Sequence, residues 1–248
     1  MFCTACGAQV PDGTKFCTAC GADLSGAPEG GSGGASSDPF ANRFSSGPAT
    51  GPVTPFIPPT NAKAQTGKWI GGGWELVKPD MVMWGLSALI ILAVSGVVPI
   101  ILQGALVAGL HLMFIKKLSG RTPEIGDLFK AFNLFVPTLV ATLLISVFSF
   151  IGFMLCIVPG IVVYAVYMFT YLFIVDRKMD FWPAMEASHA VVKQDYLGFS
   201  LFVLALILLQ MVGVLACFVG VLITFPIMYG AITIAYRDLV GFGGGAEI

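Results

Sequence analysis

Residues 131–175 read AFNLFVPTLVATLLISVFSFIGFMLCIVPGIVVYAVYMFTYLFIV, without one Asp, Glu, Lys or Arg. A helix crosses the ~30 Å hydrocarbon layer of a bilayer with ~20 apolar residues. This run is too long for one crossing and right for two. Its middle holds Cys156-Ile157-Val158-Pro159-Gly160, and Gly and Pro are the strongest local breakers. A pair of membrane helices joined by a tight turn is expected. Residues 196–236 repeat the pattern, with Cys217-Phe218-Val219-Gly220 as the break. Residues 81–115 form a third uncharged run, broken at Ser95-Gly96-Val97-Val98-Pro99.

Composition agrees. The 248 residues are 56% hydrophobic and 11% charged, against about 25% charged in soluble domains. An ordinary soluble fold is excluded. The net charge of −1 gives no electrostatic drive toward nucleic acid, and no nucleic-acid partner is expected. Sidedness of charge settles the first run, which is short for two spans and long for one. If all three runs are hairpins, Lys68, Lys78, Lys116, Lys117, Arg121, Lys130, Arg177, Lys178, Lys193 and Arg237 share one side, and the opposite turns are uncharged. The positive-inside rule then places both termini in the cytosol of a cell whose cytoplasmic membrane holds the chain. The expected fold is all-α and polytopic, with six transmembrane helices as three hairpin repeats.

The repeat has a fixed spacing. Pro99 to Lys116, Gly160 to Arg177 and Gly220 to Arg237 are each 17 residues apart, about 25 Å of helix. Amphipathic stretches precede two hairpins and are expected to lie at the membrane interface. Thr122-Pro123 opens the first, with Thr122 as cap and Pro123 at the first helical position. Ile125, Leu128, Phe129 and Phe132 share its apolar face. The second runs over residues 181–193 and places Trp182, Met185, His189 and Val192 on one face. Ile70 to Lys78 reads as a degenerate first copy weakened by Gly71-Gly72-Gly73.

Four domains follow from composition: a cysteine-rich head at 1–24, a Gly/Pro/Ser-rich linker at 25–66, the membrane domain at 67–240 and a Gly-rich tail at 241–248. The linker cannot bury enough apolar surface to order itself. As a flexible chain it reaches about 36 Å root-mean-square. The start, Met1-Phe2-Cys3, lacks the basic and apolar segments of a signal peptide, and none is expected.

The head carries the one strong chemical motif. Cys3-Thr4-Ala5-Cys6-Gly7 and Cys17-Thr18-Ala19-Cys20-Gly21 are two CxxC knuckles, each followed by Gly. Cys3, Cys6, Cys17 and Cys20 supply the four thiolates of a tetrahedral zinc site. Four cysteines leave no open position, so the ion is structural. A piece this small has almost no core, so metal binding supplies most of its folding energy, about 10–16 kcal/mol in zinc-finger peptides. In the cytosol, stable disulfides are disfavoured.

These phrases resemble the short zinc-ribbon heads at the N-terminus of many bacterial and archaeal membrane proteins. Residues 67–240 are similar to the six-span membrane domain of glycerophosphoryl diester phosphodiesterase-like and related uncharacterised integral membrane proteins. Cys156-Ile157-Val158-Pro159-Gly160-Ile161, residues 171–176 and Ala184-Met185-Glu186-Ala187-Ser188 carry that resemblance. It implies a helical domain. It does not imply the phosphodiesterase activity, because the catalytic barrel would need ~250 residues of its own.

No catalytic residues are expected. His111 and His189 are too few and too far apart for a catalytic metal site. His111, near the cytosolic end of its span, reads as an interfacial His bonded to a neighbour. Gln103 and Gln210 read as interhelical hydrogen-bonding groups. Gly104, Ala105, Ala108 and Gly109 form a small-residue packing face. Cys156 and Cys217 read as buried free thiols, with a disulfide in an oxidising compartment as the alternative, and Asp176, Asp180, Glu186, Asp195 and Asp238 as ion pairs or anchors on the charged rim. The expected protein is a non-enzymatic scaffold or adaptor in contact with the lipid bilayer. Its zinc ribbon meets a protein partner, and homo-oligomers are allowed. A transporter or channel with a regulatory ribbon is the competing class. Elemental analysis of the purified chain should find one zinc per molecule, and Cys3→Ser with Cys17→Ser should remove it.

Overall fold

The computed structural model describes residues 58–97, 101–216 and 219–243. Among these, the regular structure is entirely helical. In chain order the helices are α1 (Thr66–Val77), α2 (Met81–Val97), α3 (Gln103–Leu118), α4 (Asp127–Lys130), α5 (Phe135–Leu155), α6 (Ile157–Tyr167), α7 (Thr170–Arg177), α8 (Phe181–Val192), α9 (Tyr196–Leu215) and α10 (Val219–Leu239). Among the described residues, five segments are long and apolar enough to cross a membrane: Thr66–Gly96, Asp127–Leu155, Ile157–Arg177, Tyr196–Leu215 and Val219–Leu239. They are compatible with a multi-pass membrane protein. The place expected for a further crossing is taken by α3, which has 16 residues.

Helix α3 is the centre of the bundle. Every residue from Gly104 to Ile115 is buried, and α2, α4, α5, α7 and α10 all pack against it. A helix surrounded in this way must be apolar or small on every side, and Gly104-Ala105-Leu106-Val107-Ala108-Gly109-Leu110 is both. The small face sets the closest approaches. A Cβ on Gly109 would stand 2.0 Å from the carbonyl oxygen of Leu128, and one on Gly104 would stand 2.8 Å from that of Thr138. Between lipid-solvated helices such backbone contact, not hydrophobic exclusion, supplies the attraction. On another side, Trp84 of α2 stacks on Phe114, with ring centroids 4.1 Å apart and planes 5° apart.

The glycine triplet has a packing role that its helix propensity hides. Helix α1 is formed throughout, and its Gly73 presses on α10. A Cβ there would lie 2.7 Å from the Ile227 carbonyl oxygen and 3.0 Å from the Ala231 nitrogen. The conformational cost of glycine in a helix, about 1 kcal/mol, is met by this approach. Trp69 of α1 is fully buried. It packs on Phe199 and Phe202 of α9 at 6.1 and 5.1 Å.

Breaks fall where local chemistry puts them, with one exception. Cys156 is extended, with φ −175° and ψ 161°, and ends α5. Pro159 then sits in the first turn of α6, where its missing N–H removes no helical bond. The exception divides α6 from α7 at Met168 and Phe169, where the sequence offers neither Gly nor Pro. Ser188 of α8 causes it. Its hydroxyl donates to the Val166 carbonyl at 2.6 Å and accepts the Phe169 N–H at 3.3 Å. A side chain entering the helical ladder produces this kind of interruption.

Two expectations are corrected here. The first amphipathic segment is not a helix from Thr122. It is the four-residue α4, followed by a 3-10 turn, Ala131–Leu134. Asp127 takes the Glu124 N–H at 2.9 Å and so forms the turn that delays the helix. The second segment is helix α8 as expected, but its buried face is rotated. Ala184, Met185, Ala187, Ser188, Val191 and Val192 are buried, while Trp182 and His189 are exposed. Ser188 must reach the α6–α7 break, and that fixes the rotation.

The end of the stretch read as linker is docked. Ala62 is buried and its N–H donates to Gln194 Oε1 at 2.8 Å. Ala64 N–H donates to Asp195 Oδ2 at 3.2 Å. Gly109→Ala should destabilise the bundle by ~1–3 kcal/mol or more, since backbone must move. Gly85→Ala, with nothing within 4 Å, should be neutral or stabilising by ~0.5–1 kcal/mol. Thermal unfolding in detergent distinguishes the two.

Candidate functional site

Charged groups gather where helix ends meet, and they are paired. Asp127, 1% exposed, takes Lys116 at 2.5 Å and Lys130 at 2.8 Å. Lys117 reaches Asp80 at 2.6 Å. Asp238 takes Lys68 at 2.8 Å and Arg237 at 3.0 Å, and accepts the Trp69 indole N–H at 3.3 Å. Asp176 is buried, and its Oδ2 accepts the Tyr236 hydroxyl at 3.0 Å and the Gly243 N–H at 2.7 Å.

The other carboxylates serve the backbone or neighbouring rings. Asp180 caps α8. Asp195 caps α9 through the Gly198 N–H at 2.9 Å, and a Cβ at 198 would collide with that carboxylate. Glu186 accepts the Trp182 indole N–H at 2.9 Å. Asp180 and Asp195 hold helix N-termini rather than ion pairs, and Glu186 ties one turn of α8 to the next.

Several polar groups inside the bundle are matched in pairs, while the Ser149, Thr170 and Ser200 hydroxyls and the Trp84 indole N–H are buried without a partner among the described residues. Thr142 donates to the Thr138 carbonyl and lies 3.0 Å from the Tyr171 hydroxyl. Thr224 donates to Gln210 Oε1 at 2.5 Å, the interhelical bond expected of Gln210. Gln103 is exposed at the start of α3.

His111 is bonded to a neighbour, as expected, and is buried inside the bundle. It is 1% exposed, because α3 runs through the middle of the bundle. Its Nδ1 lies 2.8 Å from Thr233 Oγ1, and that hydroxyl spends its one proton on the Tyr229 carbonyl at 2.8 Å. His111 Nδ1 must therefore carry the donated proton. Nε2 is left as a buried lone pair with no partner among the described residues. The Tyr229 ring meets the imidazole edge-on at 5.4 Å. This constellation ties α3 to α10.

Between the α5–α6 and α9–α10 pairs lies a cavity of about 520 Å³. Phe153, Tyr164, Leu206, Met211, Val214 and Met228 line it, with Gln210 as its amide. The sequence carried no signal for it beyond Gln210 itself, since the cavity depends on how two hairpins splay.

Among the described residues no group of three or more His, Cys, Asp or Glu could hold a metal ion. Cys156 is a free, exposed thiol. Cys3, Cys6, Cys17, Cys20 and Cys217 lie outside the described residues. For the head, family comparison decides: a zinc-ribbon model matches residues 2–24. The chain carries an N-terminal zinc-ribbon domain. Such domains bind zinc, and the four soft thiols in the matched residues are the donor set that zinc prefers. Uncharacterised proteins of Mycobacterium bovis and Mycobacterium tuberculosis are 36% identical to the chain over 122 residues. That match covers 49% of this chain and 37% of each relative. No solved structure matches.

Thr233→Val should leave the His111 N–H unsatisfied and cost ~1–3 kcal/mol. Thr233→Ser should cost far less. The comparison is read from unfolding midpoints in detergent.

Proposed function

We propose that the chain is a non-enzymatic protein of the cytoplasmic membrane that anchors a cytosolic zinc ribbon and presents it to a protein partner. The observation that carries this reading is the zinc-ribbon domain at residues 2–24 on the same chain as five membrane-length apolar helices. The ribbon is held by Cys3, Cys6, Cys17 and Cys20 around one structural zinc. The intervening chain joins the bundle at residues 59–64, against Gln194 and Asp195. Lys193 stands beside these residues in sequence, on the side that the positive-inside rule assigns to the cytosol.

In this reading the bundle has six crossings in three hairpins. They are α2 with α3, α5 with α6–α7, and α9 with α10. Helix α3 spans about 24 Å, shorter than the hydrocarbon layer. The mismatch is absorbed by thinning and by Lys116 and Lys117 reaching the interface. Two hairpins share a glycine crossing, which supports the repeat. A Cβ on Gly152 would meet Gly160, and one on Gly220 would meet the Gly213 carbonyl. The likeness to the glycerophosphoryl diester phosphodiesterase-like membrane domain belongs to this proposal and brings no activity with it. Homo-oligomerisation through the apolar flanks belongs to the same reading.

The test is a pull-down from native membranes in mild detergent, comparing the full chain with a deletion of residues 1–24 and with Cys3→Ser, Cys17→Ser. Partners present with the full chain and lost with both variants are the expected result. An unchanged partner set would overturn the adaptor role. Solute uptake into proteoliposomes that depends on the helical domain would favour the transporter class instead.

A further inference from the structure

The elbow between α8 and α9 grips the chain that enters the bundle, and it does so with two side chains. Residues 59–62 form a turn whose ends are bridged by the Gln194 amide. Its Nε2 donates to the Pro59 carbonyl, and its Oε1 accepts the Ala62 N–H at 2.8 Å. Asn61 turns the chain at φ 67°, a left-handed conformation that Asn adopts more readily than most residues. Asp195 Oδ2 then accepts the Ala64 N–H at 3.2 Å. Lys63 lies between these two anchored residues, and Lys193 immediately precedes Gln194. Two lysines distant in sequence are thereby brought to one elbow, and both are exposed.

Charge and position narrow what these lysines meet. Neighbouring cations have carboxylates: Lys68 and Arg237 share Asp238, Lys116 and Lys130 share Asp127, and Lys117 has Asp80. Among the described residues, Lys63 and Lys193 have none. The elbow's own carboxylate, Asp195, spends both oxygens on the Ala64 and Gly198 N–H groups, at a helix N-terminus that favours an anion. Glu186, seven residues before Lys193 and so about 10 Å away along α8, is bonded to Trp182. Two positive charges against one leave the elbow cationic. Helix α9 starts here, and Leu197, Leu201, Leu204 and Leu208 are exposed along it, at the spacing of a single helical stripe. Tyr196, 41% exposed, opens the helix, and tyrosines of this kind mark the membrane–water interface. The lysines therefore stand where the lipid-facing stripe begins, at the depth of lipid headgroups. An ammonium group there is a compact point charge suited to phosphate.

We propose that Lys63 and Lys193 form a binding site for the headgroup phosphate of an anionic phospholipid, whose acyl chains lie along the stripe that Leu197 and Leu201 begin. Gln194 and Asp195 are positioning residues: they bring Lys63 to Lys193 and leave the phosphate to the two ammonium groups. The inference goes beyond the adaptor reading. It rests on the membrane reading of the helices and not on the zinc ribbon, so loss of ribbon partners leaves it standing.

The test is native mass spectrometry of the full chain in mild detergent, titrated with phosphatidylglycerol or with phosphatidylcholine of the same acyl chains. Phosphatidylglycerol should bind about 25-fold more tightly, a factor of about five for each lysine. Lys63→Gln and Lys193→Gln, at exposed positions, should each weaken phosphatidylglycerol about fivefold and leave phosphatidylcholine unchanged. Lys117→Gln makes the same change of charge at a cation paired with Asp80 and should alter neither. Gln194→Leu keeps both lysines but frees the turn, and it should cost about as much as Lys63→Gln, whereas Lys63→Arg should retain binding. Unfolding midpoints confirm that each variant remains folded. Equal binding of the two lipids would overturn the inference. So would an equal loss with Lys117→Gln, which reports only the general positive field of the rim. Displacement of the lipid by millimolar glycerophosphoglycerol would overturn it as well, because the site would then serve a soluble phosphodiester.

Discussion

The backbone contact at Gly109 is the constraint on which the other packing depends. With no side chain there, the Leu128 carbonyl lies against α3, at a distance that a Cβ would reduce to 2.0 Å. That approach brings Asp127 to Lys116 and fixes where the chain turns toward α5. Gly104 repeats the device further along, under Thr138 and Thr142. Both contacts belong to a helix that is buried from Gly104 to Ile115, and they bring α4 and α5 against different sides of it. Lipid offers no hydrophobic penalty for separating helices, so close van der Waals packing and a few polar bonds must hold them. Small residues at the centre supply the first, and His111 with Thr233 supplies the second.

The chain is organised by where it can satisfy polar groups. Ion pairs and caps collect at the helix ends that carry charge, where Asp127, Asp195 and Asp238 each serve two or more partners. Away from those ends, the Thr138, Thr142, Thr224 and Thr233 hydroxyls are matched within or between adjacent helices, and apolar side chains such as Leu155 and Leu215 face outward. This division is what a bilayer demands of a polypeptide, since an unmatched backbone group in hydrocarbon costs several kcal/mol. The buried, unpartnered His111 Nε2 and Thr170 hydroxyl depart from that rule.

The positions of breaks and spans were largely legible because they depend on nearest neighbours in sequence. Cys156-Ile157-Val158-Pro159-Gly160 cannot continue a helix unchanged, and α5 ends there. Asp180 and Asp195, read from the sequence as ion pairs or anchors, instead cap α8 and α9. The two CxxC knuckles announce a zinc ribbon, which the comparison of residues 2–24 bears out. Thr122-Pro123 carried the same kind of signal and misled, because Asp127 had a stronger use for its carboxylate with Lys116, Lys130 and the Glu124 N–H.

By itself, then, the sequence determined the class of protein: apolar runs of membrane length, charges segregated between them, and a metal-binding head. Hydrophobicity, turn propensity and ligand spacing are local quantities, and a single chain displays them openly. Only the tertiary structure decided which helix would be central, why Gly72 and Gly73 stand in α1, and why the α6–α7 path is broken without Gly or Pro. Those outcomes depend on pairs distant in sequence, such as Gly73 with Ile227 and Ser188 with Val166. Neither partner shows its role until the other is brought within a few ångströms.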